Sequence, residues 1–197
     1  GRIRNGWPLI VFGSRGFDVV VSDVDAVWLN PVAPHIQSLQ ENTVLAGTRC
    51  VMPLSQSQEW GAALNFGFLL LRSVEIATMI RETASNAAEK KQLVDDQRIL
   101  NSILWEQQLC VNNNNMSLSI GRQTEYGEFP AGSKLYGKQV AFLAPEFFPR
   151  NNCHLLNGTD EVVVLHCAFK TATFKRQVGY GGTEHTLKQF GAWYKEN

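Results

Sequence analysis

Apolar and polar positions divide the chain into short, regular units. Phe17-Asp18-Val19-Val20-Val21-Ser22 is a β-branched run that reads as a strand covered on both faces, the pattern of a parallel sheet. Asn30-Pro31 closes the next apolar stretch as a turn, and Pro34 to Gln40 reads as a short helix with proline near its start. Thr43 to Thr48 predicts a strand, and Leu54 to Gly61, polar with one tryptophan, a loop. Asn65 to Ser73 predicts a second buried strand. Ser73 then caps a helix whose Val74, Ala77, Ile80, Arg81 and Ala84 fall at helical spacing. Glu89-Lys90-Lys91 reads as a solvated link. Val94 to Leu109 predicts a further helix with Ile99, Leu100, Ile103 and Leu104 on its inner face, and Asn112 to Asn115 a polar loop. Gln139 to Ala144 predicts a strand ended by Pro145 and Pro149. Val162 to Leu165 predicts a last buried strand ending at His166, and Thr183 to Lys195 a closing helix. Trp7 to Ser14 fits a helix or a strand equally. Strands alternating with helices, with no repeat and no second core, predict one α/β domain over residues 1–197.

Composition narrows the class. Of 197 residues, 44% are hydrophobic and 18% charged, which specifies a globular chain with a sizeable core rather than disorder. Lys and Arg number 18, as do Asp and Glu, so zero net charge gives no support to broad binding of nucleic acid or anionic membrane. No apolar run approaches the roughly 20 residues that span a bilayer. A buried strand so near Gly1 leads us to expect an amino-terminally truncated piece whose earlier strands lie outside it. Cys50, Cys110, Cys153 and Cys167 lack Cys-x-x-Cys spacing, which argues against zinc and leaves free thiols or up to two disulfides. Asn115-Met116-Ser117 and Asn157-Gly158-Thr159 are glycosylation acceptor patterns and lean slightly toward a secretory lumen.

The chemistry starts at Asp23 and Asp25, which follow the first strand at its carboxyl end, the ligand-binding edge of open α/β sheets. Two carboxylates this close repel each other and resist desolvation unless a cation joins them. Hard oxygen donors select Mg²⁺ or Mn²⁺, ions that accompany phosphate groups. A polar turn after a strand would place acids there as well. Asn65-Phe66-Gly67 offers amide hydrogen bonding beside a residue that permits close approach, or simply a tight turn. Asp95-Asp96-Gln97 opens a helix; one acid suffices for capping, and two acids with Gln suggest a substrate contact. His166 reads either as a packed core histidine or as a late metal ligand.

Taken in order, these blocks resemble the nucleotide-diphospho-sugar transferases of the plant and algal cell-wall type, glycosyltransferase family 77. The resemblance rests on Gly16 to Pro31, with Ser22-Asp23-Val24-Asp25 and Trp28-Leu29. It continues through Leu64 to Phe68, Asp95 to Asn101, Phe142 to Pro149, Val164-Leu165-His166, Lys175, and Leu187 to Trp193. The chain departs at Cys167-Ala168-Phe169 and Thr171-Ala172-Thr173, where the family carries a small or amide residue, then Trp, then Gly before Lys.

The resemblance implies a GT-A-like fold, a Rossmann-like mixed sheet flanked by helices. It implies retaining transfer of a sugar from a nucleoside diphosphate, with UDP expected, to a hydroxyl of a glycan or glycoprotein. Asp25 would bind Mn²⁺ or Mg²⁺ directly. Asp23 would contact the ribose, the sugar, or the ion through water. His166 would be the late metal ligand, and Lys175 would sit near the diphosphate. Asn65, with Gly67 beside it, would face the sugar and acceptor together with Asp95, Asp96 and Gln97, the candidate catalytic group. Whether Asp95 or Asp96 acts as a nucleophile stays open, with attack from the leaving-group side preferred. Residence in the Golgi lumen, through a membrane anchor outside this chain, is implied in the same way. Two other classes share strand-end acids: a metal-dependent phosphotransferase or phosphatase, and a non-catalytic sugar- or nucleotide-binding domain of the same fold.

Overall fold

A computed structural model describes residues 12–23, 26–90, 95–112, 116, 118, 121–150 and 160–166. Eight strands and four helices follow one another along these residues: β1 (Val19–Ser22), β2 (Val27–Trp28), α1 (Ala33–Gln37), β3 (Thr43–Cys50), α2 (Leu54–Trp60), β4 (Ala63–Leu71), α3 (Val74–Glu89), α4 (Asp96–Glu106), β5 (Cys110–Val111), β6 (Glu125–Glu128), β7 (Gln139–Phe142) and β8 (Val164–Leu165). Six strands form one mixed sheet in the order β1-β4-β3-β7-β6-β5, and β2 pairs with β8 in a separate small sheet. The β3–β7 pair is parallel, and the other pairs are antiparallel. This mixed sheet flanked by helices is the α/β, GT-A-like architecture expected from the sequence.

Burial follows from two covered faces. On one, Val19, Val21, Leu45, Leu69, Leu71, Val140 and Phe142 pack with Ile76 and Ile80 of α3 and with Ile99, Leu100, Ile103 and Leu104 of α4. On the other, Ala46, Phe68, Leu70 and Ala141 pack with Val32, Phe148, Val163 and Val164, and Ile36 of α1 lies against them. β3 and β4 are therefore buried at every position, which explains their continuous apolar runs. β1 corrects the expectation of a parallel strand buried on both faces. It runs antiparallel to β4 at the sheet edge among the described residues, so Val20 and Ser22 stay partly exposed.

Local signals account for most boundaries. The Ser73 hydroxyl accepts from Ile76 N at 3.2 Å and starts α3. Asp95 does the same for α4, accepting from Arg98 N at 2.7 Å. The segment expected to be a loop, Leu54–Trp60, is instead helix α2. Pro53 enters it in an extended conformation, Gly61 ends it at φ 84°, and Trp60, 2% exposed, anchors it in the core. The expected strand Val162 to Leu165 shortens to Val164–Leu165, although Val162 and Val163 are also buried. The expected closing helix, Thr183 to Lys195, lies outside the described residues.

β1 ends at Ser22, opposite Phe68, while β4 begins five residues earlier, at Ala63. Side chains of α4 serve that stretch. Asn101, fully buried, accepts from Leu64 N at 2.9 Å and donates to Leu64 O at 2.8 Å. Asn101→Ala should therefore leave two buried main-chain groups unsatisfied and cost on the order of 3 kcal/mol. Urea denaturation checks this; a loss under about 1 kcal/mol would mean that water replaces the amide.

Candidate donor and metal site

Three segments distant in sequence meet at the middle of β4. Asp23 follows β1 directly, and its N–H donates to Gly67 O at 2.8 Å. His166 follows β8, which is paired with β2 just after the acidic turn. Its Nε2 lies 3.6 Å from Asp23 Oδ2. Gly67 makes this meeting possible: a Cβ built there would overlap the Cε1 and Nδ1 edge of the His166 ring and lie 2.7 Å from Asp23 Oδ2. Trp28 steadies the turn by donating from Nε1 to Ser22 Oγ at 3.0 Å and packing edge-on against Phe68.

A second layer surrounds this centre. Gln97 Oε1 accepts from Asn65 Nδ2 at 2.7 Å and Phe66 N at 3.3 Å. Gln97 Nε2 donates to Met52 O at 2.6 Å and Cys50 Sγ at 3.2 Å. Asn65 Oδ1 in turn accepts from Gly67 N at 2.9 Å. The Gln97 and Asn65 amides thus bind the start of α4, the end of β3 and the glycine of β4 together. Burial raises the Cys50 thiol pKa above its ordinary value, with hydrogen bonds from Gln97 and Asn65 and the Arg150 charge opposing the rise. Among the described residues, Cys50 and Cys110 are free thiols.

Of the α4 acids, Asp95 is exposed and paired with Arg98 at 3.2 Å, whereas Asp96 is half-buried. Loss of solvent is the first cause raising the Asp96 carboxyl pKa, and the negative charges of Asp23 and Asp95 push it the same way. Asp96 and Asp23 therefore share an acidic field that a cation or a sugar hydroxyl would relieve.

The donors present fit a divalent ion. A carboxylate suits Mn²⁺ or Mg²⁺ and an imidazole favours Mn²⁺ of the two, and two donors each about 2.1 Å from one ion stand roughly 3–4 Å apart, as Asp23 Oδ2 and His166 Nε2 do at 3.6 Å. Gly67 supplies the clearance that lets both approach. Among the described residues no cluster of three or more His, Cys, Asp and Glu donors forms. Asp25 and Lys175, named from the sequence for the metal and the diphosphate, lie outside the described residues.

Reasoning from sequence missed Arg150. Its Nη1 lies 3.3 Å from His166 Nε2 and 3.4 Å from His166 O. A lone arginine after Pro149 carries no pattern that would single it out. It also missed Arg49, a buried residue of β3 itself, which donates to Gln123 O at 2.7 Å and Phe142 O at 3.3 Å. Burial lowers the Arg49 pKa to about 10, so it stays charged at neutral pH and holds the loop before β6 to β7.

No significant match appears among the curated proteins or the solved structures. A family model does match, over residues 10–177, a span that contains Asp23, Gly67, the α4 acids and His166. Sheet order, the strand-end acid and this match agree: the chain belongs to the nucleotide-diphospho-sugar transferase family.

Proposed function

We propose that this chain transfers a sugar from a nucleoside diphosphate, UDP-linked, to a hydroxyl acceptor with retention of configuration, using Mn²⁺ or Mg²⁺. The observation that carries the reading is the convergence of Asp23 and His166 over Gly67 at the end of β1. Asp23, Asp25 and His166 would hold the ion, which when bound supplies Lewis-acid stabilisation of the diphosphate leaving group. Asp23 keeps a carboxylate at the strand end, where the donor's ribose or sugar would meet it. Asp96 turns a half-buried acid toward the same field, suited to accept hydrogen bonds from sugar hydroxyls.

The Gln97 and Asn65 amides are engaged with main chain and with each other. We assign them to positioning: they fix β4 beside α4 so that Gly67 and Asp96 keep their spacing. The acceptor hydroxyl attacks from the leaving-group side, and its proton passes to the departing phosphate. Lys175 is assigned to the diphosphate, and the acceptor is a glycan or glycoprotein.

A phosphotransferase reading would make Asp23 a nucleophile toward phosphate esters; the imidazole 3.6 Å from its carboxylate suits shared ligation of an ion instead. Calorimetric titration of the full chain with UDP tests the proposal. Binding should require Mn²⁺ or Mg²⁺ and should be lost in Asp25→Ala, and UDP-sugars rather than phosphate esters should turn over. Metal-independent or absent UDP binding would overturn it in favour of a non-catalytic domain.

A further inference from the structure

Resting on that reading, one more residue belongs to the donor site. Arg150 and His166 are held side by side by main chain: Val163 N donates to Phe147 O at 2.7 Å and His166 N to Pro149 O at 3.2 Å. The guanidinium therefore approaches the imidazole from a fixed strip of backbone. Arg150 Nη1 and Asp23 Oδ2 flank the same ring nitrogen, at 3.3 and 3.6 Å. A cation thus already stands where a carboxylate and an imidazole converge. Its charge also reaches Cys50, on the β3 side of the site, where it opposes the rise in the thiol pKa.

A planar guanidinium in this place has a specific use. It matches two phosphate oxygens at once and remains charged throughout the working pH range. The lone pair of Nε2 serves one partner at a time, so an ion ligated by His166 must displace the Nη1–H from it. We propose that Arg150 is a diphosphate-binding residue: it shields His166 from the bare ion, and it turns onto the donor's phosphate oxygens when ion and donor enter together. The device favours productive loading, since the ion alone meets a competing positive charge while the ion with a diphosphate does not.

The test compares the full chain with Arg150→Gln and Arg150→Lys, titrating Mn²⁺ alone, UMP with Mn²⁺ and UDP with Mn²⁺. Arg150→Gln should bind Mn²⁺ alone about threefold tighter or more, because a fixed charge is gone. It should bind UDP about 10- to 100-fold more weakly, the loss of a charge-assisted contact, while UMP affinity changes less than about threefold. Arg150→Lys should recover part of the UDP affinity and keep the weak binding of Mn²⁺ alone. Thermal unfolding of each variant guards against misfolding, and the lysine variant carries the comparison if glutamine is not tolerated. UDP and Mn²⁺ affinities equal to wild type in a folded variant overturn this role alone. A wild-type chain that binds no UDP at any Mn²⁺ concentration overturns the glycosyl-transfer reading and this role with it.

Discussion

Gly67→Ala is expected to abolish sugar transfer and to destabilise the fold, although it adds a single methyl group. The new carbon would overlap Cε1 and Nδ1 of the His166 ring and lie 2.7 Å from Asp23 Oδ2, closer than any stable contact. Neither side yields easily. Gly67 sits at the middle of β4, which is buried at every position and paired through Leu69 with both β1 and β3. His166 is 2% exposed and tied by its own N–H to Pro149 O. The imidazole must therefore swing away from Asp23, since the backbone cannot. Overpacking of this kind costs about 1–3 kcal/mol. Activity should fall further, by roughly 10²-fold or more, because displacements near 1 Å are enough to disable a positioned site. Initial rates with a UDP-sugar and Mn²⁺, set beside urea denaturation, check both halves. Turnover within threefold of wild type would show that His166 does not need its present place. A large loss of stability with unchanged Mn²⁺ dependence would make Gly67 a packing residue only.

Much of this architecture is legible in the linear pattern, for physical reasons. Strands covered on two faces have no polar positions, so β3 and β4 announce themselves as continuous apolar runs. α3 declares its start through Ser73, and α4 its buried face through Ile99, Leu100, Ile103 and Leu104. Direction is another matter: the valines of β1 carry no mark of whether their neighbour runs parallel or antiparallel. α2 hides because it buries only Gln56 and Trp60, so seven residues show no apolar stripe; its stop signal, Gly61, reads equally well as a loop glycine. β6, Glu125–Glu128, is polar at both ends and becomes a strand only because β7 offers a ladder.

The candidate site divides along the same line. Residue types suited to phosphate and metal chemistry stand out at Asp23, Asp96 and His166. The meeting of Asp23 and His166 depends on the β2–β8 pairing, and no spacing encodes it. The glycine gave the reverse kind of surprise. Close approach at Gly67 was expected for a ligand, and the group that approaches is the chain's own imidazole. Gln97 drew attention as a sugar-facing amide, and it holds four protein partners. Arg150 was invisible because its significance lies wholly in what it stands next to.

The second large effect concerns His166. Its two available roles predict different measurements. As a ligand, the ring would contribute one bond to a divalent ion, and His166→Ala should raise the Mn²⁺ concentration for half-maximal rate by about 10- to 100-fold or more while turnover falls by orders of magnitude. As a packed core histidine, the same substitution would open a cavity and lower stability with no change in metal dependence. A measurement without turnover separates the two. An ion that binds only the folded chain stabilises it by about 2.7 kcal/mol at a hundredfold excess over its Kd. Wild type should therefore show a clear Mn²⁺-dependent rise in melting temperature in the presence of UDP, and His166→Ala should lose most of it. Asp23→Asn provides the control on the other flank of the same nitrogen, 3.6 Å away. If Asp23 reaches the ion only through water or the ribose, its amide should weaken UDP binding while leaving more of the Mn²⁺ response than His166→Ala does. If the melting response of His166→Ala to Mn²⁺ and UDP equals that of wild type, the ion is held by other groups, and the imidazole over Gly67 is structural.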